Sequence, residues 1–175
     1  MRRWRTRAPL VAAAIFTLAY VVPQLAGLRL NTTTSMPRGL YRSVGGPVTT
    51  GAWVSVCLPS EIARFGVERS YLGAGSCLNG IEPVLKVVAA VAGDVVSVTV
   101  DGVTVNGELL QHSRALDRDR GGRDLVAYSA GVRALAPDEL WLHSPFEERS
   151  WDSRYFGPVP ATCVTDVVAP LVTFQ

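Results

Sequence analysis

The chain has 175 residues, 48% of them hydrophobic, and a formal net charge of +2. That length suits one domain with a sizeable core, and the balance excludes both a disordered profile and a polybasic field for nucleic acid. Lys86 is the one lysine among 17 basic residues; unlike arginine, a desolvated lysine can lose its proton near neutral pH.

From Ala8 to Leu28 no residue is charged, and a helix of that length at about 1.5 Å per residue spans the roughly 30 Å hydrocarbon core of a bilayer. Arg2, Arg3, Arg5 and Arg7 precede it and only Arg29 follows closely, so the positive-inside rule puts the N-terminus in the cytoplasm and the rest outside. The expected organisation is a tail over 1–7, a transmembrane anchor over 8–28 and an exported domain over 29–175. A cleaved secretory signal is the competing reading, disfavoured because its apolar core would run only about 7 to 15 residues.

Next comes the hydroxyl-rich stretch Asn31-Thr32-Thr33-Thr34-Ser35-Met36-Pro37. Fully extended, the chain from Leu28 to Ser35 reaches at most about 25 Å, so Ser35 works near the membrane surface. Pro37 stiffens its own and the preceding residue's backbone, while Gly39 permits a turn. Taken singly, Thr32, Thr33 and Thr34 read as a polar linker.

Further on, short apolar runs bounded by Gly, Pro, Asn and Asp favour strands. Strands are expected over Gly51–Pro59, Pro83–Val91, Asp94–Val100, Val103–Val105, Leu140–His143 and Thr162–Val168, with Asp101-Gly102 and Asn106-Gly107 as hairpin turns. Ser60–Arg69 reads as the one exported helix, with Ser60 as its cap. Gln111–Asp124 carries both charge signs interleaved and reads as a solvated loop. The predicted fold class is mainly β.

Cys57 and Cys77 could close a disulfide stabilising by about 3 kcal/mol in an oxidising compartment. Three cysteines allow three single pairings, and sequence alone leaves them open. No His or Cys cluster has metal-ligand spacing, so neither a metal nor another cofactor is expected.

Three ordered segments carry a resemblance: Ser35 to Tyr41 (Ser-Met-Pro-Arg-Gly-Leu-Tyr), Pro83 to Asp94 and Ser150 to Val159. Together they resemble the Ser-Lys (type I) signal peptidases. The Ser-Met-Pro-x-Gly-Leu-Tyr form, with Gly-x-Cys-x-x-Gly at Gly75 to Gly80, is similar to the TraF-type branch, the maturation peptidases of conjugative transfer. The resemblance implies a signal-peptidase-like, β-rich catalytic domain behind one N-terminal transmembrane helix. Ser35 would be the nucleophile and neutral Lys86 its general base. The Ser35 N–H and the Thr33 hydroxyl would stabilise the oxyanion, Ser150 would orient the lysine, and Asp152 with Arg154 would brace the site. Val84, Leu85, Val87 and Val88 would supply the apolar surroundings that lower the lysine pKa. Cys77, from its place in the Gly-x-Cys-x-x-Gly pattern, would pair with Cys57.

One departure is visible: Ser144-Pro145-Phe146 stands where many signal peptidases have Gly-Asp-Asn, which puts a direct role for that segment in doubt. A Ser35, His143, Asp152 triad is the rival assignment, against a reading of His143 as a hydrogen-bonded strand end. The expected substrate is an exported precursor protein or pilin, processed by hydrolysis or cyclisation. Expected partners are the lipid bilayer and a conjugation or secretion apparatus, with no nucleic acid. The expected location is the bacterial inner membrane, single-pass, with the catalytic domain periplasmic. A general signal peptidase and a non-catalytic envelope scaffold are the alternatives.

Overall fold

The computed structural model describes residues 27–128 and 131–174. The anchor expected over 8–28 lies outside them except for its last two residues. Those are not helical: Gly27 is a turn at φ +67 and Leu28 opens the first strand. Among the described residues no helix is long and apolar enough to cross a membrane.

The protein is mainly β. Strands β1 (Leu28–Asn31), β2 (Arg38–Ser43) and β3 (Trp53–Val56) are followed by helix α1 (Ser60–Glu68), then β4 (Val84–Ala90), β5 (Val95–Thr99), β6 (Gly102–Val105) and β7 (Glu108–Leu109). After β8 (Val132–Ala134) and β9 (Glu139–His143) come a short helix α2 (Ser153–Phe156), β10 (Val159–Pro160), a 3-10 turn over Ala161–Cys163, and β11 (Val164–Phe174). Seven strands form one antiparallel sheet in the order β1-β2-β11-β3-β4-β9-β10; four form a second, β7-β6-β5-β8. Val54, Val56, Val88, Leu140 and Leu142 fill one core against Ala63 of α1, while Ala90, Val96, Val103 and Trp141 fill the other.

Several boundaries differ from expectation for local reasons. The first β-hairpin of the smaller sheet pairs Thr99 with Gly102, so its turn is Val100-Asp101 rather than Asp101-Gly102. Gly102 is the strand residue that pairs with Thr99, and a Cβ there would lie 2.5 Å from the Ser113 hydroxyl, so only glycine fits. Asn106 (φ +51) and Gly107 (φ +87) do form the next turn, where both positions need left-handed backbone. Helix α1 is capped by Pro59 without a side-chain bond, and Ser60 is its first residue. The C-terminal strand starts at Val164 and runs to Phe174, spanned on one side by β3 and on the other by β2.

Gly39 lies inside β2, not at a turn; a Cβ on it would stand 2.1 Å from the Val172 carbonyl oxygen of β11. A disulfide joins Cys57 to Cys77 with Cα atoms 5.7 Å apart, tying the end of β3 to the loop before β4. Cys163 is free and half-buried.

The segment Gln111–Asp124 is more ordered than a solvated loop. It folds around the buried Asp119 carboxylate, which accepts from the Tyr71 hydroxyl (2.6 Å), the Gly121 and Arg123 N–H groups (2.8 and 2.9 Å) and Arg123 Nε (2.7 Å). The Tyr71 bond leads the influences holding Asp119 below the usual carboxylate range.

Candidate active site

Ser35 sits in the loop between β1 and β2, a hairpin that pairs Asn31 with Gly39 at its mouth. Met36 is buried and pins the loop from below, while the Pro37 carbonyl accepts from the Tyr41 hydroxyl at 2.5 Å. The Asn31 amide nitrogen donates to the Thr33, Met36 and Pro37 carbonyls at 3.1, 3.0 and 3.0 Å. These bonds satisfy backbone groups that the turn leaves unpaired. Ser35 Oγ lies 3.1 Å from Thr33 Oγ1, its nearest hydroxyl neighbour on this loop.

Lys86 lies in β4, opposite Val54 of β3 and with only 3% of its surface exposed. It shares its face of the strand with Val84 and Val88, whereas Leu85 and Val87 point to the other side, and a bulge after Val88 turns Ala90 to the second core. Burial is the main influence lowering its pKa, from 10.5 to about 8; the charge of Asp152 opposes that shift and the charge of Arg154 adds to it. A lysine with that value is neutral in about one molecule in ten at pH 7. Ser35 and Lys86 line one cleft of about 640 Å³, together with Thr33, Ser55 and Ser150.

The base of the site is a buried ion pair. Asp152 caps helix α2 by accepting the Arg154 N–H, and its carboxylate takes Arg154 Nε at 2.8 Å and Nη2 at 3.1 Å. Arg154 also donates to the carbonyls of His112 (2.6 Å), Arg114 (2.9 Å) and Ser150 (2.8 Å). One planar guanidinium thereby ties the 112–114 segment to the 150–154 segment. Burial alone would raise the Asp152 pKa, but the neighbouring His143 imidazole and the charge and hydrogen bonds of Arg154 hold it down at about 2.

The remaining site residues fall differently from expectation. Ser150 is at the cleft, but its Oγ is buried with no hydrogen-bond partner, so the bond to Lys86 is not formed in this conformation. His143 ends β9 away from the cleft lining, with Nε2 held 2.7 Å from the Gln111 carbonyl. Its Nδ1 is 3.4 Å from Asp152 Oδ2. The nitrogen that a triad would turn to Ser35 is thus already committed, as the strand-end reading of His143 holds.

Ser144, in the segment that departs from the family pattern, contacts the Ser35 loop. It is fully buried, its Oγ donates to the Ser35 carbonyl, and its N–H donates to Asp152 Oδ2 at 3.2 Å. Asn31 and Ser144 are the residues that sequence reading missed. The Asn-Thr-Thr run carried a usable signal, since Asn side chains fold turns onto their own backbone. For Ser144 there was none, because its contact with Ser35 joins residues 109 apart in the chain.

The family model for signal peptidase, peptidase S26, matches residues 1–171. A plasmid transfer protein TraF of Escherichia coli is 41% identical over 151 residues, covering 85% of this chain and 84% of the relative. A conjugal transfer protein TraF of Agrobacterium tumefaciens (strain 15955) is 38% identical over 179 residues, 100% of this chain and 99% of that one. A crystal structure of a signal peptidase I from Enterococcus faecalis V583 aligns with a TM-score of 0.40 at 20% identity, over 71% of this chain and 98% of that one. With the family model spanning nearly its whole length, this chain belongs to the signal peptidase family, peptidase S26, as a TraF-like member.

Proposed function

We propose that this protein is a membrane-anchored serine endopeptidase in which Ser35 is the nucleophile and Lys86 its general base. One observation carries the reading: the chain's single lysine is buried on the cleft that Ser35 lines, with its pKa brought down to about 8. Neutral Lys86 takes the Ser35 hydroxyl proton as Oγ attacks the scissile carbonyl, and returns it to the leaving amine. The Ser35 N–H and the Thr33 hydroxyl stabilise the oxyanion, each donor lowering the barrier by about 3 kcal/mol. Ser150 orients the lysine once substrate closes the cleft, which would give its orphaned hydroxyl a partner.

The substrate peptide adds as a strand. β4 is paired with β3 along Val84–Val87, but with β9 only from Val87 onward, which leaves an edge beside Lys86 where backbone bonds can hold an extended segment. The TraF names of the relatives support an exported precursor or pilin subunit as substrate, processed within a conjugation apparatus by hydrolysis or by cyclisation. The apolar run before Gly27 supports a bilayer anchor, with the domain outside the inner membrane. Leu30 of β1 and Val172 of β11 flank Leu40 in one cross-strand row, and both are exposed. Such a row suits a surface lying against lipid.

The test is substrate accumulation in cells carrying Ser35→Ala, Lys86→Arg or His143→Ala. The first two are expected to be inactive and the third largely active. An active Lys86→Arg protein would rule out the dyad, and an active Ser35→Ala protein would point instead to a non-catalytic scaffold. Mass spectrometry of the product separates hydrolysis from cyclisation by one water.

A further inference from the structure

Asn31 has no part in the chemistry described so far, yet it is 94% buried, with a relative exposure of 6%, four residues before the nucleophile. Its partners fix the orientation of its amide. Three carbonyls, of Thr33, Met36 and Pro37, surround Nδ2, while Oδ1 receives the Thr33 N–H at 3.2 Å and the Thr33 hydroxyl at 2.8 Å. Turning the amide over would set oxygen against three carbonyl oxygens.

Thr33 has a single hydroxyl hydrogen. Donated to Asn31, it is not free for Ser35, so in the 3.1 Å contact between Thr33 Oγ1 and Ser35 Oγ the serine donates and the threonine accepts. The chain of hydrogens runs from Ser35 to Thr33 to Asn31.

We propose that Asn31 is a positioning residue that sets the direction of this chain, parking the Ser35 hydrogen on Thr33 at rest, and that substrate engagement reverses it. The inference rests on the Ser35/Lys86 reading. On reversal the Ser35 hydrogen passes to the neutral Lys86 amine as the bond from Oγ to the substrate carbon forms. The carbonyl π pair moves onto oxygen, and the Thr33 hydrogen leaves Asn31 Oδ1 to face that oxyanion. No other donor or acceptor is needed. Without substrate, the serine hydrogen points away from its base, and Ser35 is not activated.

The experiment is a double-substitution cycle on the full-length chain in detergent, with p-nitrophenyl acetate as probe and Ser35→Ala as baseline. Asn31→Asp is expected to slow initial p-nitrophenolate release at least about tenfold, because a carboxylate holds the Thr33 hydrogen more tightly than an amide does. In a Thr33→Val background the same change is expected to cost less than about threefold, since residues acting through one another are non-additive. Equal losses in both backgrounds would mean that Asn31 only folds the loop, and would overturn the proposal. If Asn31→Asp does not fold, Asn31→Ser, which withdraws the acceptor from Thr33, is run through the same cycle with the same non-additivity expected. Wild-type release no faster than Ser35→Ala would remove the nucleophile itself, a separate failure that takes the underlying reading down as well.

Discussion

Ser144 is hydrogen-bonded to the backbone of Ser35: its hydroxyl donates to the Ser35 carbonyl, while its N–H donates to Asp152. The Ser35 loop, contributed by the β1–β2 hairpin, is thereby tied to the buried Asp152–Arg154 ion pair. The segment after β9 does not need an acidic or amide side chain to do this.

Removing that tie has a defined consequence. Ser144→Ala leaves the Ser35 carbonyl short of one partner and frees the loop to shift, and displacements of about 1 Å in a reacting group can cost roughly a hundredfold in rate. Processing is therefore expected to fall by about tenfold or more while the melting temperature stays within a few degrees. An unchanged rate in a time course of substrate processing would make the contact incidental.

Lys86 makes the protein less stable at neutral pH than it need be. With its folded pKa at about 8 and its unfolded value at 10.5, the unfolded chain binds more protons between those values. Stability contributed by this group therefore rises with pH across that window, and the full penalty applies below about pH 8. The difference corresponds to roughly 3 kcal/mol. Lys86→Met is accordingly expected to be inactive yet more stable by up to about that amount at pH 7, with the gain shrinking as pH rises toward 10. Denaturant unfolding of both proteins at pH 7 and pH 9.5 measures it; a Met variant no more stable at pH 7 would contradict a desolvated ammonium.

Asp152 bears on the same lysine from the other side. Its negative charge holds the Lys86 pKa up against burial, so Asp152→Asn is expected to move the rising limb of the pH–rate profile below pH 8. The same change leaves Arg154 buried without its counter-charge, and breaking such a pair costs about 3 to 5 kcal/mol. In the wild type the contribution of the depressed Asp152 pKa is complete above about pH 4 and is lost as pH falls toward 2. Unfolding midpoints combined with initial rates across pH 6 to 10 separate the two effects. A profile that stays in place while stability drops would limit Asp152 to a structural role.

What the sequence made legible was local. The alternation of Val95–Thr99 and the Asn106-Gly107 turn depend on near neighbours, and they appear where expected. Lys86 and Ser35 stand out through composition and motif, and the fold brings both to one cleft. Strands β1 and β2 were not visible: Leu-Arg-Leu-Asn is only a four-residue edge strand paired to β2, and Arg-Gly-Leu-Tyr-Arg-Ser lacks a clean apolar period and gains its second partner from β11, more than a hundred residues later. The buried Asp119 looked like one charge among many for the same reason: its partner Tyr71 comes from another segment. Side chains whose role is set by distant partners, such as Ser144 and Arg154, leave no periodic trace.

Gly39 tests how far the Ser35 loop depends on the sheet behind it. Its φ of +151 is one that L residues rarely adopt, and an added Cβ would meet the Val172 oxygen at 2.1 Å and the Thr173 Cα at 2.7 Å. These are backbone atoms of a paired strand and cannot swing aside as a side-chain tip could. Gly39→Ala must therefore push β11 away from β2 or distort the hairpin mouth, where Gly39 faces Asn31. Strained positions of this kind cost about 1 to 3 kcal/mol, and the clash adds to that. The expected result is a loss of at least about 2 kcal/mol in unfolding free energy together with a fall in processing. Because Asn31 would move with the mouth, activity should drop by more than the lost stability alone explains, measured well below the melting temperature. A variant that unfolds earlier but processes substrate at the wild-type rate would show that the hairpin mouth and the Ser35 loop are mechanically independent.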